Sequence, residues 1–330
     1  MVGTIDTAVF GIYLTGILGI GVYFWNRTDD FEDYTLAGRR IPWFILVTTM
    51  AAGYFGGGAS VGLVGRGYNS GLMIWAAWFV AIGVIGSIVA WYVAPKLRET
   101  DGYSVADIYA NNYGLAGGYF AGIMSFLVTV GILGAQVVAL GAIISVILGI
   151  SLELGMALGM FVVIVYSTIG GRAAVIHTDV LQFLILMSFF SAIAVWSLWQ
   201  VGGFSGLYHQ LPSTDYISVT GTETWGTVVT LAIVFGFGES LVPAYTQTFL
   251  SAKDAAHSRL GTTAGRLVGP LFFIFPIVIG MCAQVLLDRR IPAGDEVLPV
   301  FINEFLPVGL AGLLLAALVA AIMSTADSYL

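Results

Sequence analysis

Charge is what this chain lacks most. Only 9% of its 330 residues are Asp, Glu, Lys or Arg, where a soluble domain carries about 25%. Against that, 58% of the residues are hydrophobic and the mean hydropathy is +0.94. So few charges do not clothe a water-facing surface, which excludes a soluble globular protein. The single cysteine, Cys282, excludes an internal disulfide and a cysteine-built metal cage. With 12 basic residues against 19 acidic ones, the net charge is −7, and no basic footprint for nucleic acid exists. No phosphate-cradling P-loop, H-E-x-x-H helix or G-x-S-x-G elbow occurs, so the chain reads as a non-enzyme with no ATP-driven machinery of its own. No Lys or Arg precedes Arg27, so the first apolar run lacks the flank of a signal peptide.

What the chain has is long apolar runs. Segments of about 20 such residues predict membrane-crossing helices. Nine are read: 5–25, 43–64, 72–94, 117–148, 154–170, 174–201, 226–250, 267–287 and 308–330. Their length, with no period-two alternation, makes this an all-α polytopic membrane protein rather than a β-barrel. Basic residues are retained on the cytoplasmic side. With the N-terminus outside, the inner loops hold Arg27, Arg39, Arg40, Lys96, Arg98, Arg172, Lys253, Arg259 and Arg266, and the outer loops only Arg66, Arg289 and Arg290. That bias predicts an outside N-terminus and places Leu330 on the cytoplasmic side. The last run ends at "AAIMSTADSYL" with no polar tail, so the chain is expected to be part of a longer protein.

Two of the runs are interrupted. "AGYFGGGASVGLVGRGY" (52–68) holds seven glycines in seventeen residues, each costing a helix roughly 1 kcal/mol relative to Ala. "VFGFGESLVP" sets Gly236, Gly238, Glu239 and Pro243 in the seventh run. Glycines also serve close helix packing. Irregular backbone at membrane depth, however, survives only inside protein or along a cavity, and broken helices at matching repeat positions mark transporter binding sites. The two breaks lie five spans apart, so span one reads as an extra helix. Residues 43–201 then form one five-helix repeat, and 226–330 the first three helices of a second, truncated one.

Polar residues inside the runs carry the remaining signal. Ser324, Asp327 and Ser328 share one helix face, and their oxygens suit a hard cation such as Na⁺. An intramembrane carboxylate such as Asp327 is functional by default. In "HTDVLQF", Asp179 and Gln182 are helical neighbours, open to reading as an interfacial cap or as part of an ion path, while His177 reads as interfacial. Glu239 is either a water-exposed residue at a cavity mouth or a group for a cationic substrate or a proton. Trp75, Trp78, Trp91, Trp196 and Trp199 read as an interfacial belt.

"AVIHTDVLQF", "AAIMSTADS", "AYTQTFLSA" and the glycine-broken second run together resemble the sodium:solute symporter family, which includes sodium-coupled glucose, proline, pantothenate, sialic acid and choline transporters. The resemblance implies a five-plus-five inverted-repeat transporter fold after one extra helix, a multi-pass protein of the cell membrane, and Na⁺ coupled to import of a small organic solute. It also implies a sodium site made by the carbonyls of Ala52, Phe55 and Ala321 and the hydroxyls of Ser324 and Thr325. A second cation site or exit path would use Asp179, Asp327 and Ser328. Substrate would lie between the breaks, near Tyr54, Gly57, Gly58, Phe237, Glu239 and Tyr245.

The chain departs from the family pattern where substrate is read. Ala59 and Trp78 stand where the sugar branch has Gln and Glu. Tyr54, Ile132 and Val242 stand where the choline branch builds a tryptophan cage. Gln247-Thr248 replaces the usual "QR", and Arg172 follows the "GG". The identity of the solute is therefore open, and the expectation is a small organic solute of the amino-acid, osmolyte or carboxylate class. The alternative is a solute-sensing membrane domain of a signalling protein with the same fold.

Overall fold

The computed structural model describes residues 4–25, 30–218, 221, 224–287, 290–306 and 310–330. Among these the architecture is helical. The first apolar run forms α1 (Thr4–Trp25). The second is a bent pair, α2 (Trp43–Gly53) and α3 (Gly58–Ser70), whose axes differ by 69° across the link. It is followed by α4 (Leu72–Arg98) and α5 (Val105–Leu148). Next comes α6 (Leu152–Gln200), which contains the fifth and sixth spans. They are divided at Gly171, whose φ of 59° and ψ of −162° interrupt the helix. A Cβ at Gly171 would meet the backbone oxygen of Tyr34 at 2.9 Å, so both the dihedral and the approach require glycine.

The seventh span is again broken: α7 (Trp225–Phe237) gives way to a short turn at Glu239–Leu241 before α8 (Pro243–Leu250). Val242 is extended, as a residue before proline must be, and Pro243 starts the new helix where its missing N–H costs nothing. α9 (Ala255–Leu286) and α10 (Leu310–Ser328) complete the bundle. Among the described residues five helices are long and apolar enough to cross a membrane singly, and the bent α2–α3 pair qualifies as one more.

Packing places α10 and the α2 half of the broken second span at the centre, whereas α7 is exposed along most of its length. α10 is buried along nearly its whole length, from Leu314 to Asp327, between α1, α5 and α6. α9 lies along α2 through Gly261, Gly265 and Gly269, four residues apart. A Cβ on these would stand 2.6, 2.5 and 2.8 Å from side-chain atoms of Leu46, Met50 and Tyr54. Without a hydrophobic drive between helices in lipid, this close backbone approach is what holds them together.

The loops gather at two ends. At one, Ile41 N–H donates to Ser251 O (3.1 Å) and Lys253 N–H to Ile41 O (2.9 Å). Arg98 donates to Ala252 O (2.5 Å) there, and Arg39 to Thr100 O and Gly102 O (3.2 Å each). At the other, Ile291 N–H donates to Tyr68 OH (3.1 Å), and Gly71 lies against Tyr216.

Several sequence readings change. Arg172 and Arg266, counted above as loop charges, are buried inside the bundle, and Arg66 lies within α3. Arg27 and Arg289 fall outside the described residues. Trp91 and Trp199 are exposed as belt residues should be. Trp75, Trp78 and Trp196 instead pack inward. Trp75 donates to Pro270 O (3.1 Å), Trp78 meets Phe235 (4.6 Å between centroids) and Trp196 meets Phe301 (6.3 Å).

Candidate functional site

Three polar clusters lie inside the bundle. The first surrounds the α2–α3 break. In a continuous helix Gly57 N–H would donate to Gly53 O. Here it donates to Gln136 Oε1 of α5 at 2.9 Å, and Gly53 O accepts from Thr325 Oγ1 of α10 at 3.3 Å. Ala59 and Ser60 both donate to Gly56 O, so the ladder restarts there and Ala59 passes over the carbonyl of Phe55. The carbonyl of Ala52 is less free than the break alone implies, since Phe55 N–H donates to it at 2.8 Å. A carbonyl has two lone pairs, and one remains. Thr325 Oγ1 also lies 3.3 Å from Ala321 O. Of the five residues in the expected sodium set, Thr325 and Ala321 thus reach the break at Gly53, which lies in the chain between Ala52 and Phe55.

The opening glycines now have a local cause. A Cβ at Gly56 would stand 2.9 Å from Thr325 Oγ1 and 3.0 Å from Gln136 Oε1, and one at Gly57 would stand 2.8 Å from Ala139 Cβ. Sequence reasoning missed Gln136. Its signal was available: it is a polar residue in "GILGAQVVALGAII", where an unsatisfied amide is costly.

The second cluster adjoins the first. Ser324 turns its hydroxyl to Asp179 and donates to Oδ1, while Tyr166 donates to Asp327 Oδ2. Gln182 donates to Tyr13 OH at 3.0 Å. Asp179 is 0% exposed and Thr178 bonds back to Ala174 and Val175, so the cap reading of "TD" gives way to a buried acid inside the helix. Ser328 is half-buried, one residue past Asp327. Oδ2 of Asp179 and Oδ1 of Asp327 have no hydrogen-bond partner. Arg172 is the cation nearby, but it reaches neither carboxylate; its Nη2 donates to Thr248 Oγ1 at 2.6 Å. Among the described residues no group of three His, Cys, Asp or Glu is arranged for a metal.

The third cluster lies against the second break. Tyr54 and Tyr245 have ring centroids 5.0 Å apart. Glu239 is 8% exposed, which overturns the water-exposed reading. Arg266 is fully buried, with its guanidinium carbon 5.8 Å from the Tyr245 ring and 5.9 Å from that of Phe249. All three of its guanidinium nitrogens lack a hydrogen-bond partner, as do Glu239 Oε2, Tyr54 OH and Ser240 Oγ. Ring contacts of this kind contribute about 0.5–2 kcal/mol each, short of the several kcal/mol that an unpaired buried ion costs. Of the other residues expected around substrate, Gly57 faces Gln136, while Gly58 and Phe237 are exposed on the bundle surface.

A helical bundle whose interrupted spans converge on buried, partly unpaired polar groups has the build of a secondary transporter. The profile of the sodium:solute symporter family matches residues 34–330, and the chain belongs to that family. It is 27% identical to a sodium/glucose cotransporter of Vibrio parahaemolyticus, covering 99% of this chain and 66% of that protein. A sodium/sialic acid symporter of Proteus mirabilis is 26% identical (99% and 69% covered), and sodium/glucose cotransporter 4 of Danio rerio is 26% identical (98% and 55%). The chain therefore spans between about half and about two thirds of the length of these curated relatives. Each is by name a transporter, not an enzyme. A solved structure of a Na⁺-coupled sialic acid symporter in a substrate-bound outward-open state superimposes with a TM-score of 0.85 over 99% of this chain and 71% of that one. At 24% identity it establishes the fold.

Proposed function

We propose that the protein is a secondary active symporter in which inward movement of Na⁺ drives uptake of a small organic solute. The observation that carries this reading is the contact of Thr325 Oγ1 with Gly53 O across the break in the second span. It sets a hydroxyl of α10 beside peptide oxygens that the helix ladder has partly released. The proposed ligands of the ion are the carbonyls of Ala52, Phe55 and Ala321 with the hydroxyls of Ser324 and Thr325. Ser324 is turned to Asp179, so it links this site to the second one proposed, at Asp179, Asp327 and Ser328. A cation there would meet the two unpartnered carboxylate oxygens. Sodium biases the equilibrium between outward- and inward-open states only by binding one more tightly than the other.

The proposed orientation, N-terminus outside, rests on the end of the bundle where Arg39, Arg40, Arg98 and Lys253 gather. The proposed repeats, 43–201 and the segment from 226, rest on a broken helix opening each. Counterflow uptake by the full-length protein in proteoliposomes, with radiolabelled osmolytes, amino acids and carboxylates, tests the function. Accumulation must follow an imposed Na⁺ gradient. Uptake indifferent to that gradient, or binding without transport, refutes symport, the latter in favour of a sensor.

A further inference from the structure

Three elements bring unsatisfied polar groups to the third cluster, and a fourth adds an aromatic ring. From α9 comes the guanidinium of Arg266, from the turn after α7 the carboxylate of Glu239 and hydroxyl of Ser240, and from the end of α2 the hydroxyl of Tyr54, with Tyr245 of α8 beside it. Arg266, Ser240, Tyr54 and Glu239 are 0, 2, 7 and 8% exposed, so all four are buried from bulk solvent. The two opposite charges act on one another through the core, yet no ion pair joins them. Arg266 instead sits over the Tyr245 ring, which Tyr54 flanks, and Glu239 interacts with both tyrosines, the Tyr54 hydroxyl being its side-chain neighbour. Gly86 backs the guanidinium: a Cβ there would stand 2.7 Å from Nη1, so α4 leaves room for the arginine by omitting a side chain.

A charge pair serving only its own neutralisation would close into contact, because a shared hydrogen bond satisfies both members. Here no ion pair joins them, and each charge keeps capacity for a partner of opposite sign, with the rings of Tyr54 and Tyr245 alongside. We propose that the solute is a small zwitterion of the amino-acid or betaine class. Its carboxylate is held by Arg266 and its ammonium by Glu239 against Tyr54 and Tyr245. This rests on the symport reading and names its substrate class. A monoanion, a monocation or a neutral sugar leaves at least one buried charge unpaired, and the site discriminates against it for that reason.

The test measures binding to the purified full-length protein in saturating Na⁺, by calorimetry, with glycine betaine, L-proline, choline, propionate and glucose. At least one of the two zwitterions binds, and choline, propionate and glucose bind about tenfold weaker or worse. In Arg266→Gln the advantage of betaine over choline collapses; in Glu239→Gln the advantage of betaine over propionate collapses. Melting temperatures check folding, and Arg266→Lys, which keeps the charge, retains the preference if Arg266→Gln does not fold. Glucose binding as well as the zwitterions, no binding by either zwitterion, or an unchanged ranking in both Gln variants overturns the proposal. Radiolabelled Na⁺ binding and its loss in Thr325→Ala are measured in parallel. Sodium binding that persists while the zwitterions fail sinks this inference alone; sodium binding that is absent or insensitive to Thr325→Ala sinks the symport reading beneath it.

Discussion

Removing one hydroxyl tests the proposed sodium site. Thr325 is 5% exposed, and its Oγ1 lies 3.3 Å from both Gly53 O and Ala321 O. Thr325→Val keeps the shape of the side chain and deletes only the oxygen, while Thr325→Ser keeps the oxygen and deletes a methyl. An interaction of a neutral hydroxyl with a charged group is worth about 1.5–3 kcal/mol, which corresponds to a loss of roughly 10- to 150-fold in Na⁺ affinity. Radiolabelled Na⁺ binding to the purified full-length protein reads the change directly, and the Na⁺ concentration for half-maximal uptake reads it functionally. Val and Ala variants should both shift strongly and the Ser variant little. If Val and Ala bind Na⁺ within about twofold of the wild type, less than the 1.4 kcal/mol of a tenfold change, the hydroxyl is no ligand and the reasoning fails.

Further tests follow from the packing. Gln136→Leu strands the N–H of Gly57 and should cost about 1–3 kcal/mol, seen as a lower melting temperature in detergent that Gln136→Glu, which keeps an acceptor, largely restores. Gly265→Ala sets a Cβ 2.5 Å from Met50 Cβ and 3.0 Å from Val47 O and should destabilise by about 1–3 kcal/mol, whereas Gly58→Ala, with nothing within 4 Å, should stay within about 0.5 kcal/mol; equal melting temperatures would remove the glycine seam from the account. At the start of α9, the backbone N–H and then the ring of His257 hold the Asp254 carboxyl below its usual range. That stabilisation is present above the ordinary carboxylate range and is lost as pH falls through the lowered folded value. The difference in melting temperature between wild type and Asp254→Ala should therefore shrink in acid.

Much of the fold is legible in the sequence because lipid leaves few options. With no water to satisfy peptide groups, long apolar runs must be helices, and irregular glycine-rich stretches inside them must be sheltered. The two interruptions, at 52–68 and at 236–243, are readable for that reason, as is the suspicion attached to Asp179 and Asp327. Gly171 interrupts the long helix Leu152–Gln200 between the runs read at 154–170 and 174–201.

What the sequence could not assign is partnership between side chains distant along the chain. Nothing in "AGRLVG" or "GGRAAV" says that Arg266 and Arg172 are interior rather than loop charges; that follows from α9 lying close on α2 and from Arg172 reaching Thr248. Tyr166 donating to Asp327 and Gln136 receiving Gly57 N–H join residues 161 and 79 positions apart. Composition and periodicity determine which segments leave water, because each acts residue by residue. Which polar groups meet once there depends on helix crossing and rotation, and only the tertiary structure decided that.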